Sequence, residues 1–153
     1  MTKEFKDMRG VIAIATTPFN NENLIDFESV DRLSNYYIES KVSGVTILGV
    51  MGEAHKLNIE EQKTLIKRYV NNLINSVPVI VGVSNAGLDN LELLSKFSMD
   101  TGASGVMVSG NNGLKNDDQI SMISLRFCKR EALAQRNQIE RNPFFFFTEK
   151  KNA

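Results

Sequence analysis

Gly44-Val45-Thr46-Ile47-Leu48-Gly49 decides the fold. It is a short, continuous run of β-branched and apolar residues closed by glycine. A run of that kind suits a strand of a parallel sheet, buried on both faces. Three more runs share the form. Val11-Ile12-Ala13-Ile14-Ala15 precedes Thr16-Thr17-Pro18-Phe19, Pro78-Val79-Ile80-Val81 ends at Gly82, and Gly105-Val106-Met107-Val108 ends at Ser109-Gly110. The runs start at residues 11, 44, 78 and 105, so they lie 33, 34 and 27 residues apart. That spacing fits one strand, one helix and two loops.

The stretches between the runs have helical period. Phe27, Val30, Leu33 and Tyr37 recur every three or four residues, and Leu65, Ile66, Tyr69, Val70, Leu73 and Ile74 form a stripe that can cover a sheet. Leu91, Leu94 and Phe97 form a shorter one. Asp26 can cap the first helix. Asn58 with Glu61, Asp89 with Glu92, and Asn116 with Gln119 have cap-box spacing, in which the cap accepts an orphan N–H and the later side chain reaches back. The last pair predicts a fourth helix. Repeated strand–helix units mean a parallel α/β architecture, either an open doubly wound sheet or part of an eight-stranded barrel. No glycine-rich nucleotide loop of either common pattern is present.

Composition narrows the function. The 153 residues carry 18 basic and 18 acidic side chains, which argues against a polyanion or nucleic-acid binder. One histidine and one cysteine leave little for a zinc or haem site, so no metal and no cofactor is expected. The lone Cys128 and the charged start, without a signal-like apolar stretch, predict a cytoplasmic protein. No apolar run approaches the roughly 20 residues of a membrane helix.

The averages conceal a break. Residues 1–120 hold 11 basic and 15 acidic residues, a net of 11 − 15 = −4, whereas residues 121–153 hold 7 and 3, a net of 7 − 3 = +4. No glycine follows Gly113 and no valine follows Val108. Residues 1–120 therefore read as one α/β domain and residues 121–153 as an unrelated basic, phenylalanine-rich tail. Phe144-Phe145-Phe146-Phe147 has no evident partner in the sequence and reads as an exposed apolar patch. A frameshift near residue 120 accounts for the change; a genuine tail of a short paralogue is the alternative.

In either α/β architecture the chemistry sits at the C-terminal ends of the strands. Those ends read Thr16-Thr17-Pro18-Phe19, Gly49-Val50-Met51-Gly52-Glu53, Gly82-Val83-Ser84-Asn85 and Ser109-Gly110-Asn111-Asn112-Gly113. Together with Asp26-Phe27, Leu57, Val79–Val83 and Gly102–Val108, they make residues 8–120 resemble the dihydrodipicolinate synthase / N-acetylneuraminate lyase family. The resemblance implies the N-terminal half of a (β/α)8 TIM barrel, about four β-α units, and a lyase forming a Schiff base with pyruvate or a related 2-oxo acid.

It also implies that Thr16, Thr17, Gly49, Val50, Met51 and Gly52 contact the substrate, with the Gly49–Glu53 loop holding its carboxylate. Glycines let backbone N–H groups approach an anion. The family has two threonines where this chain has Val50 and Met51, so the proton-relaying hydroxyl is missing. The family's catalytic tyrosine and Schiff-base lysine lie on the fifth and sixth strands, and such a barrel takes about 250 residues. Lys129, Lys150 and Lys151 sit in polar surroundings, unlike a desolvated Schiff-base lysine, so no catalytic residue is assigned. The expected product is an inactive fragment with open sheet edges that self-associates or aggregates. The alternative is a non-catalytic module that binds a 2-oxo acid or a partner.

Several of these residues also have plain structural roles open to them. Val50 and Met51 can pack under the loop. Glu53 can brace it, and His55 can sit exposed before the Asn58 cap. Thr16 and Thr17 can satisfy backbone groups at the strand end. Tyr36, Tyr37 and Tyr69 fall in helix stripes as packing residues. Lys115-Asn116-Asp117-Asp118 reads as a helix start.

Overall fold

The computed structural model describes residues 9–109 and the strand 144–147. Along the chain run β1 (Ile12–Ile14), α1 (Phe27–Glu39), β2 (Gly44–Ile47), a 3-10 turn (Ala54–Lys56), α2 (Ile59–Leu73), β3 (Val79–Gly82), α3 (Leu88–Thr101), β4 (Gly105–Ser109) and β5 (Phe144–Phe147). The sheet order is β1-β2-β3-β4-β5. The first four strands are parallel, with Ala13 opposite Val45, Thr46 opposite Ile80, and Val81 opposite Val106. Strands adjacent in sequence and parallel in space require crossovers, which α1, α2 and α3 supply. The helix announced by Asn116 and Gln119 lies outside the described residues, as do Cys128 and the rest of residues 110–143.

The helices start for local reasons. Asp26 caps α1 by accepting from the Ser29 N–H at 3.1 Å. Asn58 and Glu61 form the reciprocal cap of α2, with bonds of 2.9 and 2.8 Å. The third start differs from the sequence expectation. Gly87 is the cap residue of α3 and makes no side-chain capping bond, while Asp89 lies in the first turn. Asn85 Oδ1 accepts from the Gly87 N–H at 3.0 Å, and this short turn starts the helix two residues earlier.

One face of the sheet packs on the helices. Val45, Ile47, Val79, Val81, Val106 and Val108 meet Val30, Leu65, Ile66, Tyr69, Val70, Leu73, Leu91 and Leu94 in a single core. Tyr37 and Tyr69 are buried there, but Tyr36 is 61% exposed. Neighbours in a helix point about 100° apart, so Tyr36 and Tyr37 cannot both face the core. Ile74, at the end of its stripe, is also exposed.

The other face is concave. A methyl group built on Gly49 would lie 3.7 Å from Ile14 Cγ2, 3.9 Å from Met107 Cε and 4.0 Å from Thr46 Cγ2. In a flat sheet β1 and β4 would stand about 14 Å apart, three strand spacings. Their side chains converge because the sheet curls. This curvature is consistent with the burial of Thr46 and Ile80 on that face.

Burial on both faces holds for β2 and β3 and fails for β1. Ile12 and Ile14 are exposed because no described strand lies beyond β1. The opposite edge also departs from expectation. Phe144–Phe147 pairs antiparallel with β4, from Val106 opposite Phe147 to Ser109 opposite Phe144. The phenylalanine run has a backbone partner, and the described sheet ends at β1 on one side and at β5 on the other.

Candidate functional site

The candidate site lies where β1, β2 and β3 end. After Ile47 the chain turns at Leu48, whose φ of 54° is left-handed. That conformation is costly for a leucine, and its surroundings fix it. Gly82 on β3 packs so close that a Cβ there would stand 2.3 Å from the Leu48 carbonyl oxygen. Only glycine permits this approach. The Gly52 N–H then donates to the Gly49 carbonyl at 3.0 Å, and the Glu53 N–H to the Val50 carbonyl at 3.1 Å. Two successive turns result, with Val50 and Met51 at the tip.

Four sets of contacts brace this loop and the strand end behind it. Thr17 Oγ1, buried, donates to the Gly52 carbonyl at 2.6 Å. A Cβ on Gly52 would lie 3.0 Å from the Leu48 nitrogen and 3.3 Å from the Ala15 oxygen. Buried Gln62 donates to the Ala54 and Leu57 carbonyls at 3.1 and 2.9 Å, tying the loop's far end to α2. The Tyr69 hydroxyl donates to the Thr16 carbonyl at 3.3 Å; burial pushes that phenol far above its ordinary pKa.

The site residues named from sequence separate into two groups. Gly49, Gly52 and Thr17 form the base of the loop. Thr16 is exposed, Val50 is 84% exposed and Met51 57% exposed. Packing of Val50 and Met51 under the loop is therefore corrected, because the turn lifts both tips into solvent. Among the described residues, no backbone carbonyl takes the N–H of Val50 or Met51. Glu53 pairs with Lys56 at 2.7 Å, and that bond holds its carboxyl below the usual range. It braces the loop. His55 is exposed.

Gln62, Tyr69 and the Leu48–Gly82 interlock were not singled out from sequence as parts of the site. Gln62 carried a signal, being a polar residue on the buried face that continues through Leu65, Ile66 and Tyr69. The left-handed Leu48 carried none. No lysine lies on a strand among the described residues.

Comparison with known proteins gives this geometry a context. The defining pattern of the dihydrodipicolinate synthetase family matches residues 7–110. The chain is 36% identical over 100 residues to 4-hydroxy-tetrahydrodipicolinate synthase of Thermotoga maritima, covering 65% of this chain and 34% of that enzyme. It thus spans about a third of the length of the curated relatives it matches. Among solved structures, dihydrodipicolinate synthase from Rhodopseudomonas palustris superposes with a TM-score of 0.72 at 40% identity, over 77% of this chain and 39% of that one. A family member encoded by a prophage of Escherichia coli K12, solved with pyruvate, superposes with a TM-score of 0.71 at 24% identity, over 79% and 40%; this likeness concerns the fold. The described sheet and helices thus form an N-terminal part of a TIM-barrel fold, and the chain belongs to the dihydrodipicolinate synthetase family.

Proposed function

We propose that the chain descends from a Schiff-base aldolase or lyase acting on pyruvate or a related 2-oxo acid, and that it is catalytically silent by itself. The observation that carries this reading is a braced turn beside which the described strands place no lysine. The Gly49–Gly52 turn offers the Val50 and Met51 N–H groups to a carboxylate, and its glycines keep the approach clear. Val50 stands where a proton-relaying hydroxyl is called for, and no described strand brings a lysine to the concave face. Treatment with pyruvate and borohydride, followed by mass measurement of the intact chain, should leave the mass unchanged. A stable adduct would overturn the claim of inactivity.

A second reading is a non-catalytic module that binds a 2-oxo acid. The intact bracing of the loop by Thr17, Gln62 and Gly82 favours it, since an unused loop has no need of such bracing. Its test is a rise in melting temperature with pyruvate.

Residues 121–153 read best as sequence foreign to the barrel, produced by a frameshift. The charge reversal supports this, as does the antiparallel direction of β5, where a barrel needs a parallel strand. Translating the coding DNA across residues 110–153 and beyond in the other frames tests it. Strand–helix units in another frame support the frameshift; their lack would make the tail genuine. The open sheet edges favour self-association of the product.

A further inference from the structure

We propose that Thr46 is a ligand-contacting residue of the candidate site: its hydroxyl donates to the 2-oxo oxygen of an acid whose carboxylate is held by the Gly49–Gly52 turn. This rests on the 2-oxo acid reading of that turn. It adds what the turn alone lacks, a means of telling a 2-oxo acid from a plain carboxylic acid.

Six polar side chains are buried among the described residues: Thr17, Ser34, Thr46, Gln62, Ser95 and Ser98. Five of them are occupied. Thr17 donates to the Gly52 carbonyl, and Gln62 to those of Ala54 and Leu57. Ser34, Ser95 and Ser98 donate to the carbonyls of Val30, Leu91 and Leu94 in their own helices. Thr46 is the exception. It is 5% exposed, and its hydroxyl makes no hydrogen bond to a described residue. A buried hydroxyl without a partner is costly. Yet no fully enclosed side-chain oxygen among the described residues lacks a partner, so this hydroxyl is reached from outside.

Its position says by what. Thr46 lies on β2, with Ile14 opposite it on β1 and Ile80 opposite it on β3. Val45 and Ile47, on either side of it in the chain, enter the helix-covered core, so Thr46 points to the concave face. Its Cγ2 lies 4.0 Å from a methyl built on Gly49, where Ile14 Cγ2 and Met107 Cε also converge. Beside Ile14, Ile80 and Met107 it is the one polar side chain, and it adjoins the first residue of the turn. In a 2-oxo acid the carbonyl oxygen lies one carbon beyond the carboxylate. An acid anchored at the turn brings that oxygen over this floor, where the hydroxyl can donate to it. Apolar neighbours strengthen such a bond by lowering the local dielectric.

Titration of the full chain and of Thr46→Val with pyruvate and with propanoate, which lacks the 2-oxo oxygen, tests the proposal. The parent should bind pyruvate about two- to tenfold more tightly than propanoate, the worth of one hydrogen bond. Thr46→Val should lose that preference and bind propanoate as the parent does, and Thr46→Ser should keep it. Without ligand, Thr46→Val should melt no lower than the parent, because a methyl replaces an unpartnered hydroxyl in a strand that suits valine. A preference for pyruvate kept in Thr46→Val would overturn the proposal and leave the turn as a carboxylate site. A lower melting temperature in Thr46→Val would assign the hydroxyl a structural partner, and would overturn it too. If neither acid binds the parent, the 2-oxo acid reading falls, and the proposal with it.

Discussion

The centre of the sheet and its first strand are written in the same amino acids but buried differently. Val45, Ile47, Val79 and Val81 are all but fully buried, whereas Val11, Ile12 and Ile14 stand in solvent. β-branched residues are chosen for both. What separates them is a neighbouring strand on each side. Burial is a property of position in the sheet, so apolar content alone does not tell a central strand from an edge.

Substitutions can break that contrast. The largest effect is expected in the covered region, where Leu65→Ala should cost about 2–5 kcal/mol and Ile14→Ala on the exposed strand much less. Chemical denaturation of the two variants checks it; equal losses would mean that β1 is covered. Next comes Gly82→Ala, whose new methyl meets the Leu48 carbonyl at 2.3 Å. Strain of about 1–3 kcal/mol is expected, together with loss of any pyruvate-dependent stabilisation. Thr17→Val should cost about 1–2 kcal/mol, because the buried Gly52 carbonyl loses its donor. Its effect on melting temperature should exceed that of Thr16→Val at the exposed neighbouring position.

The smallest effect concerns acid. Asp31 is held below the ordinary carboxylate range by hydrogen bonds from Arg68 and then Asn72, which tie α1 to α2. Its folded pKa is depressed, so its contribution is complete above the ordinary range and is lost as pH falls through and below it. A melting-temperature profile should fall less steeply below about pH 4 in Asp31→Asn than in the parent, given the usual aspartate pKa.

Much of this architecture was legible in the residues. Four β-branched runs at near-regular spacing became four parallel strands, and Asn58 with Glu61 became the cap of α2, because each depends on local chemistry. The cap of α3 was misplaced for a local reason too. Asp89 and Glu92 have the right spacing, but Asn85 folds onto Gly87 first. Other features depend on contacts distant in sequence. The burial of Gly82 against Leu48 joins residues 34 apart, and the pairing of Phe144–Phe147 with β4 spans a still longer separation. Val50 and Met51 read as core by type, yet the two turns beneath them decide their exposure. Of the candidate site, the glycines and the loop were readable, while Gln62 and Tyr69, which hold it, are recognised only once the helix is laid against the strands.

The second reading proposed above, that the braced turn from Gly49 to Gly52 still binds a 2-oxo acid carboxylate, is the one a single measurement reaches most directly. The most direct measurement is the melting temperature of the full chain against pyruvate concentration. The account predicts a saturable rise, equivalent to about 2.7 kcal/mol when pyruvate is 100-fold above its dissociation constant, and its loss in Gly52→Val. No rise at millimolar pyruvate, in a chain shown to be folded, would contradict it.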